Sequence, residues 1–462
     1  MNYILFNGII LTMDSQNNII RDGCVVIEDD RIVDVGKYNE LKNKYQGYDK
    51  IDCKNKIIMP PFINCHTHAS MTLLRGYADD LPLFEWLTKW IFPIEKNLTP
   101  SDIYLGTKLA VVESALSGVS CLNTMYYFMD MEAEAISQAG LRGVVGHVCF
   151  SNNKRQDSSI TFNLVKKWHN SKDGLIRVSV DPHSIYTVDP VYLKELYLLK
   201  EELNNKYGSP TAPIHWHIHT AETSDEMAKM REAFASHEDT EVKELVNNHY
   251  EGVFDYLNHL NVLDSEVTAA HCVHLTSKDI EVISKKSVKV VHNPVSNLKL
   301  ASGISPVTTL LKNKVNVSLG TDGPCSNNSL DMFETVKLTA LLHKGVNLNP
   351  TILPAQTVIR MATFDAAKTL GWSSEIGSVE KGKKADILIV DLSKPHATPL
   401  YNEYSHLVYA LKSSDVESLI VNGRFIVENR VMKTVNVEEV IVKVAKWVEN
   451  KLADKSLTVK DK

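Results

Sequence analysis

IIMPPFINCHTH, residues 57–68, opens a region in which one unit recurs: a short apolar strand that closes on polar residues, then a longer helical stretch. VSCLNTMYY (119–127), GVVGHVCF (143–150), IRVSVDPHS (176–184), PIHWHIHT (213–220), VTAAHCVHL (267–275), VKVVHNPVSN (288–297) and VNVSLGTDG (315–323) repeat it. Strands alternating with helices predict an α/β fold with a parallel sheet. The number of strands, eight, favours closure into a (β/α)₈ TIM-type barrel over residues 57–373. In that fold the C-terminal strand ends face the active site. Most of these strands end in His, Asp, Glu or Asn, so their polar ends point to chemistry rather than packing.

Outward from the barrel, both chain ends read as β structure. Residues 1–56 hold YILFNGIIL and CVVIEDDRIVDVG, separated by Asn, Asp and Gly turn signals. Residues 376–431 hold IGSVEKGKKADILIVDL and SLIVNGRFIVENRVM, with Asn422-Gly423 marking a hairpin. Each end alone offers too little apolar surface for a core, so the two are expected to meet as one composite β-sandwich. Residues 432–462 are expected to form a C-terminal helix and tail. In that helix Val437, Val440, Ile441, Val444, Trp447 and Val448 make an apolar stripe suited to packing.

The chain of 462 residues is 44% hydrophobic and 23% charged, ordinary for a soluble enzyme. Its net charge of -6 leaves no footprint for nucleic acid or an anionic membrane surface. No apolar run approaches the ~18 residues of a membrane span, and MNYILFNGIILTMD lacks the basic leader of a signal peptide. Seven scattered cysteines without a CxxC pair suggest reduced thiols in a cytoplasmic protein. Cys65, Cys272 and Cys325 lie beside the motifs below and read as small buried residues rather than nucleophiles.

Side chains alternate along a strand, so His66 and His68 point to one side and could share a metal. Two histidines arise this way by chance as well; the other strands make the difference. PIHWHIHTAET puts His215, His217 and His219 on one face, and a ligand must sit at the rim. His219 is therefore the candidate, His217 a deeper residue behind it, and His215 a barrel-bottom histidine. AAHCVHL offers His271, with His274 on the opposite face, and TDG offers Asp322. Histidines and a carboxylate suit Zn²⁺ or Fe²⁺ and leave a position for water, whose pKa a cation can lower to about 7. Glu222, three residues past His219, could be a ligand or a surface acid; its place just beyond the strand favours general acid/base work.

MPPFINCHTHASMTLLRG, HIHTAETS, AAHCVHL, VVHNPVSNLKLASG and LGTDGPCSNNSLDMF, in that order, resemble the amidohydrolase superfamily. More narrowly, they resemble its methylthioadenosine/S-adenosylhomocysteine deaminases and the related chlorohydrolases. The resemblance covers nearly the whole chain. It implies a single divalent metal per subunit, zinc first and iron second, held by His66, His68, His219 and Asp322. It implies that His271 orients the attacking water and that Glu222 shuttles protons to the ring. Asp322 would pass the water's proton to the departing amine. IRVSVDPHS lacks the bridging lysine of binuclear relatives and supplies His183, which would contact substrate. In LFEWLTKWIFPIEKNL the likeness makes Trp86 a pocket wall and Glu95 the partner of ribose hydroxyls. The pattern of the H-x-E…P-C-x-x-C deaminases is absent.

One departure bears on substrate. Where the homocysteine-nucleoside deaminases carry an arginine on the third strand, this chain has His147, and only Arg155 lies in the following loop. That favours a small 5' group over S-adenosylhomocysteine. The expected activity is hydrolytic deamination of a 5'-substituted adenosine by a homo-oligomer, dimer or tetramer. Guanine, a pterin or an s-triazine are the alternative substrates, and a non-catalytic scaffold is the alternative class. Glu95 argues for a nucleoside over a free base, and the intact ligand set argues against a scaffold.

Overall fold

A computed structural model describes residues 2–453; the expected tail from residue 454 lies outside the described residues. Strands β1 (Phe62–Thr67), β2 (Val119–Tyr126), β3 (Arg142–Cys149) and β4 (Ile176–Pro182) pair in parallel and in sequence order. β5 (His215–Thr220), β6 (Val267–His271), β7 (Lys289–His292) and β8 (Val317–Leu319) continue the same sheet. At the rim the Asp322 N–H donates to the His66 carbonyl at 2.9 Å, which ties the end of β8 back to β1. The closing bond thus joins two of the candidate site residues. Every residue of β1 to β8 is buried, as expected for a sheet covered on both faces.

The two chain ends share one mixed sheet of nine strands. Residues Asn2–Leu11 sit in its middle, antiparallel to Ile19–Glu28 and parallel to Lys56–Met59. Lys56–Met59 in turn pairs antiparallel with Ile387–Asp391, which brings the C-terminal end into register. The far edge returns on itself, because Arg31 bridges to Lys384 and the Ala385 N–H donates to the Asp30 carbonyl. Leu5, Val25, Ile58, Ile387 and Ile420 then form one apolar core drawn from both ends. Asn422 and Gly423, with φ of 47° and 71°, make the expected tight hairpin between Val416–Val421 and Arg424–Glu428.

The first predicted strand, 57–68, divides between the two sheets. Pro60 and Pro61 have no N–H for a ladder, so residues up to Met59 stay in the outer sheet and β1 begins at Phe62. The C-terminal helix Val437–Ala453 packs through Val440 and Trp447, and the Trp447 indole N–H donates to Asp102 at 2.7 Å. Ile441 is 55% exposed: it lies beyond the edge of the stripe and faces solvent. Among the described residues no helix is long and apolar enough to cross a membrane.

Sheet and barrel are bolted together below the site. Arg142 on β3 meets Asp386 at 2.7 Å, both side chains being 1% exposed, and also bonds Asn422. Breaking a buried pair leaves an uncompensated charge. Asp386→Ala is therefore expected to lower the unfolding free energy by roughly 3–5 kcal/mol, read as a shift in the urea midpoint.

Candidate metal and substrate site

His66, His219 and His271 on their strands, with His68 and Asp322 just past the ends of β1 and β8, converge at the C-terminal rim. His66, His219 and His271 form one group of potential ligand atoms within 4.8 Å of each other, and His66, His68 and Asp322 another. Sharing His66, the two groups make one cluster. His68 Nδ1 donates to the Met125 carbonyl and His219 Nδ1 to the His183 carbonyl, each at 2.7 Å. A carbonyl can only accept, so in the neutral rings each Nε2 carries a lone pair. Those two Nε2 atoms face each other at 3.3 Å, and Asp322 Oδ1 lies 3.2 Å from His68 Nε2. His66 Nε2, buried and without a hydrogen-bond partner, is 3.4 Å from the same oxygen. Acceptors converging with no donor among them fit a cation. Burial keeps the His66 and His219 rings well below the usual imidazole pKa, so both are neutral as a metal requires.

Asp322 is held from behind. Its Oδ2 accepts from the hydroxyls of Ser296 and Ser326 at 2.6 and 2.8 Å, and its Oδ1 accepts from the Gly323 N–H at 2.7 Å. These three donors favour the ionised carboxylate. His271 donates from Nδ1 to Asn297 at 2.8 Å. Glu222 Oε1 lies 3.7 Å from that nitrogen, and burial raises the Glu222 pKa. Glu226 accepts from the Glu222 backbone N–H at 2.8 Å and so fixes the loop. Ala221, His271, Cys272 and Asp322 all adopt positive φ, between 50° and 73°. Such backbone is costly for non-glycine residues and concentrates at functional sites.

A pocket of about 600 Å³ opens onto the cluster and is lined by Trp86, Glu95, His183, Glu222, His271 and Asp322, among others. Trp86 begins a π-helical turn, Trp86–Ile91, set between the short helices Leu83–Glu85 and Phe92–Glu95. Pro93 has no N–H to return to the preceding turn, which favours this wider winding. His183 stacks on Phe150 at 4.9 Å, and burial lowers its pKa to about 3. Burial pushes Glu95 up to about 7. Phe92, Glu95, Tyr127, Phe150 and Tyr186 also line an outer compartment of about 1510 Å³. His147 is 3.1 Å from Asp157 and lines neither space, and Arg155 is exposed.

Of the remaining histidines, His215 and His217 lie on β5 below His219, while His274 falls past the end of β6. His217 sits behind His66 at 2.9 Å, His215 is buried lower in the barrel beside Glu266, and His274 bonds the Ser302 carbonyl. The supports Ser296, Asn297, Ser326 and Glu226 were not anticipated. NPVSN, a polar run straight after a strand, was the one signal for the first two. All seven cysteines are buried and unpaired.

A barrel with potential metal ligands at several strand ends is the architecture of an amidohydrolase, and the chain belongs to that family: the amidohydrolase family model matches residues 57–426. It is a hydrolase of carbon–nitrogen bonds. It is 41% identical to the 5-methylthioadenosine/S-adenosylhomocysteine deaminase of Thermoanaerobacter pseudethanolicus, over 97% of this chain and 99% of that protein. It is 40% identical to the 5'-deoxyadenosine deaminase of Methanosarcina mazei, over 97% and 98% of the two chains. Among solved structures it resembles an adenosine deaminase from Xanthomonas campestris with bound zinc. That match has a TM-score of 0.87 and 30% identity, and it covers 97% of this chain and 98% of the other.

Proposed function

We propose that the chain is a metal-dependent aminohydrolase that replaces the C6 amino group of a 5'-substituted adenosine with oxygen. Water adds at C6, the bond from C6 to the amino nitrogen breaks, and ammonia leaves with the protons it needs. The observation that carries the reading is the convergence of His68 Nε2, His219 Nε2 and Asp322 Oδ1 at 3.2 and 3.3 Å with no donor between them. His66, His68, His219 and Asp322 would hold one divalent cation, Zn²⁺ first and Fe²⁺ as the alternative. Bound there, the cation supplies a Lewis acid that makes water acidic enough to serve as nucleophile near neutral pH.

The chain's own groups then divide the proton work. His271, with its Nδ1–H committed to Asn297, presents Nε2 as an acceptor that orients the attacking water. Asp322 takes the water's proton and returns it to the departing amine. Glu222 gives its proton to a ring nitrogen as C6 becomes tetrahedral and recovers it as the ring is restored. Trp86 and His183 flank the base in the pocket, and neither is charged, which suits a neutral aromatic ring.

Glu95 sits where the inner pocket meets the outer compartment, a position suited to the 2' and 3' hydroxyls of ribose. Hydroxyl donors favour the ionised carboxylate and so strengthen their own bonds. Phe92, Phe128, Phe150 and Phe234 line the outer space, with Lys96 its one lining cation among the described residues. That supports a small uncharged 5' group, as in methylthioadenosine or 5'-deoxyadenosine, ahead of S-adenosylhomocysteine. Free, buried cysteines support a reducing, cytoplasmic setting, and we expect a homo-oligomer.

A charge-assisted bond is worth roughly 1.5–3 kcal/mol. Glu95→Ala should then lower kcat/KM for 5'-deoxyadenosine by roughly ten- to a hundredfold, with little change for free adenine. Equal losses on nucleoside and base would remove the ribose assignment.

A further inference from the structure

Beneath the cluster a carboxylate stands in the barrel interior with nothing bonded to it. Asp181, on β4, is fully buried, and neither of its side-chain oxygens has a hydrogen-bond partner. Room for it is made by Gly146 on β3: a Cβ there would come within 1.9 Å of Asp181 Oδ2. Leaving a buried carboxylate unpartnered is costly, so the group that faces it matters. That group is His217 on β5, whose Nδ1 is 3.6 Å from Asp181 Oδ2 and whose Nε2 is 2.9 Å from His66 Nδ1.

We propose that Asp181 is a positioning residue for the metal cluster: through His217 it holds His66 in the tautomer that turns its Nε2 lone pair toward Asp322, His68 and His219. The inference rests on the reading that this cluster holds a divalent cation. For His66 Nε2 to be a ligand, the proton of the neutral ring must sit on Nδ1 and be donated to His217 Nε2. Neutral His217 must then carry its own proton on Nδ1, the nitrogen that faces Asp181. Asn123 Nδ2 gives one N–H to the Cys65 carbonyl at 2.8 Å and turns its second toward His217 Nδ1 at 3.4 Å; that long, neutral contact favours the other tautomer, and the charge of Asp181 outweighs it. The opposite tautomers would place a lone pair of His217 against the carboxylate and a proton on His66 Nε2, where the ligand lone pair is needed. A carboxylate favours an N–H over a lone pair at this distance, so it selects the first arrangement. Asp181 touches neither substrate nor metal. Its role is exerted through two rings.

The test strips the purified full-length protein of metal and measures Zn²⁺ dissociation constants by competition with a chromophoric chelator. Loss of a hydrogen-bond partner behind a metal ligand costs roughly 10–100-fold in affinity, and Asp181→Leu should weaken Zn²⁺ binding by that factor. Asp181→Asn, whose side-chain oxygen can still face the Nδ1–H of His217, should recover most of it. In a His217→Leu background, Asp181→Leu should add no further loss. Asp181→Ala, which leaves space instead of filling it, carries the same expectation should the leucine disturb folding. Wild-type affinity in a folded Asp181→Leu or Asp181→Ala protein, or an undiminished loss on top of His217→Leu, would overturn the proposal while leaving the cation reading intact. A wild-type protein that takes up no Zn²⁺ would overturn both.

Discussion

Glu222→Gln should keep the fold and the metal yet turn over at least roughly 10²-fold more slowly, the scale of a lost proton carrier. Glutamine keeps the shape of the side chain and removes the ionisable proton. The loop that carries it should not move, because Glu226 holds it through the backbone N–H of residue 222, a group the substitution leaves untouched. KM should change little, since the lost interaction belongs to the proton transfer at the ring rather than to ground-state binding. Steady-state ammonia release, with metal content and circular dichroism as controls, checks this. A variant with near-full kcat would pass the role to His271.

Removing the metal should have the larger effect: turnover falls to background on treatment with a strong chelator and returns when Zn²⁺ is restored to about one equivalent per chain. The cluster explains why recovery should be stoichiometric and single. His66 belongs to both groups of potential ligands, so among the described residues there is one centre to refill. Asp322→Ala removes the carboxylate around which His66 and His68 turn, and should leave the chain with less than one metal per subunit. It also frees the hydroxyls of Ser296 and Ser326. Because the cation binds the folded chain alone, its loss should lower Tm; at a thousandfold excess over Kd it contributes ~4 kcal/mol. Elemental analysis showing two metals per chain would contradict the single-centre reading.

How much of this was legible in the sequence follows from the range of each interaction. The barrel was, because strand and helix periods are local and recur. So was the inward aim of His66, His68 and His219, since alternation along a strand needs no knowledge of the rest of the fold. The choice among His215, His217 and His219 followed from depth, and the structure orders them accordingly. Trp86 and Glu95 were visible through resemblance alone, for on a helix an apolar Trp or a Glu before Lys reads equally as core or surface. Ser296 and Ser326 were out of reach because they meet Asp322 from two separate segments, the short helix Pro294–Lys299 and the turn that follows Asp322. Asp181 was hidden for the same reason: its space is created by a glycine on the neighbouring strand. The exact start of the barrel turned on Pro60-Pro61, two residues that end one sheet before the next begins.

Ammonia release by the Zn²⁺-loaded protein decides the substrate when measured on a panel of methylthioadenosine, 5'-deoxyadenosine, adenosine, S-adenosylhomocysteine, adenine, guanine and an aminated s-triazine. One ammonia per nucleoside consumed is expected, with kcat/KM highest for the small uncharged 5' groups, lower for S-adenosylhomocysteine and lowest for the free bases. Preference for guanine or the triazine, or no ammonia from any adenosine, would contradict that expectation.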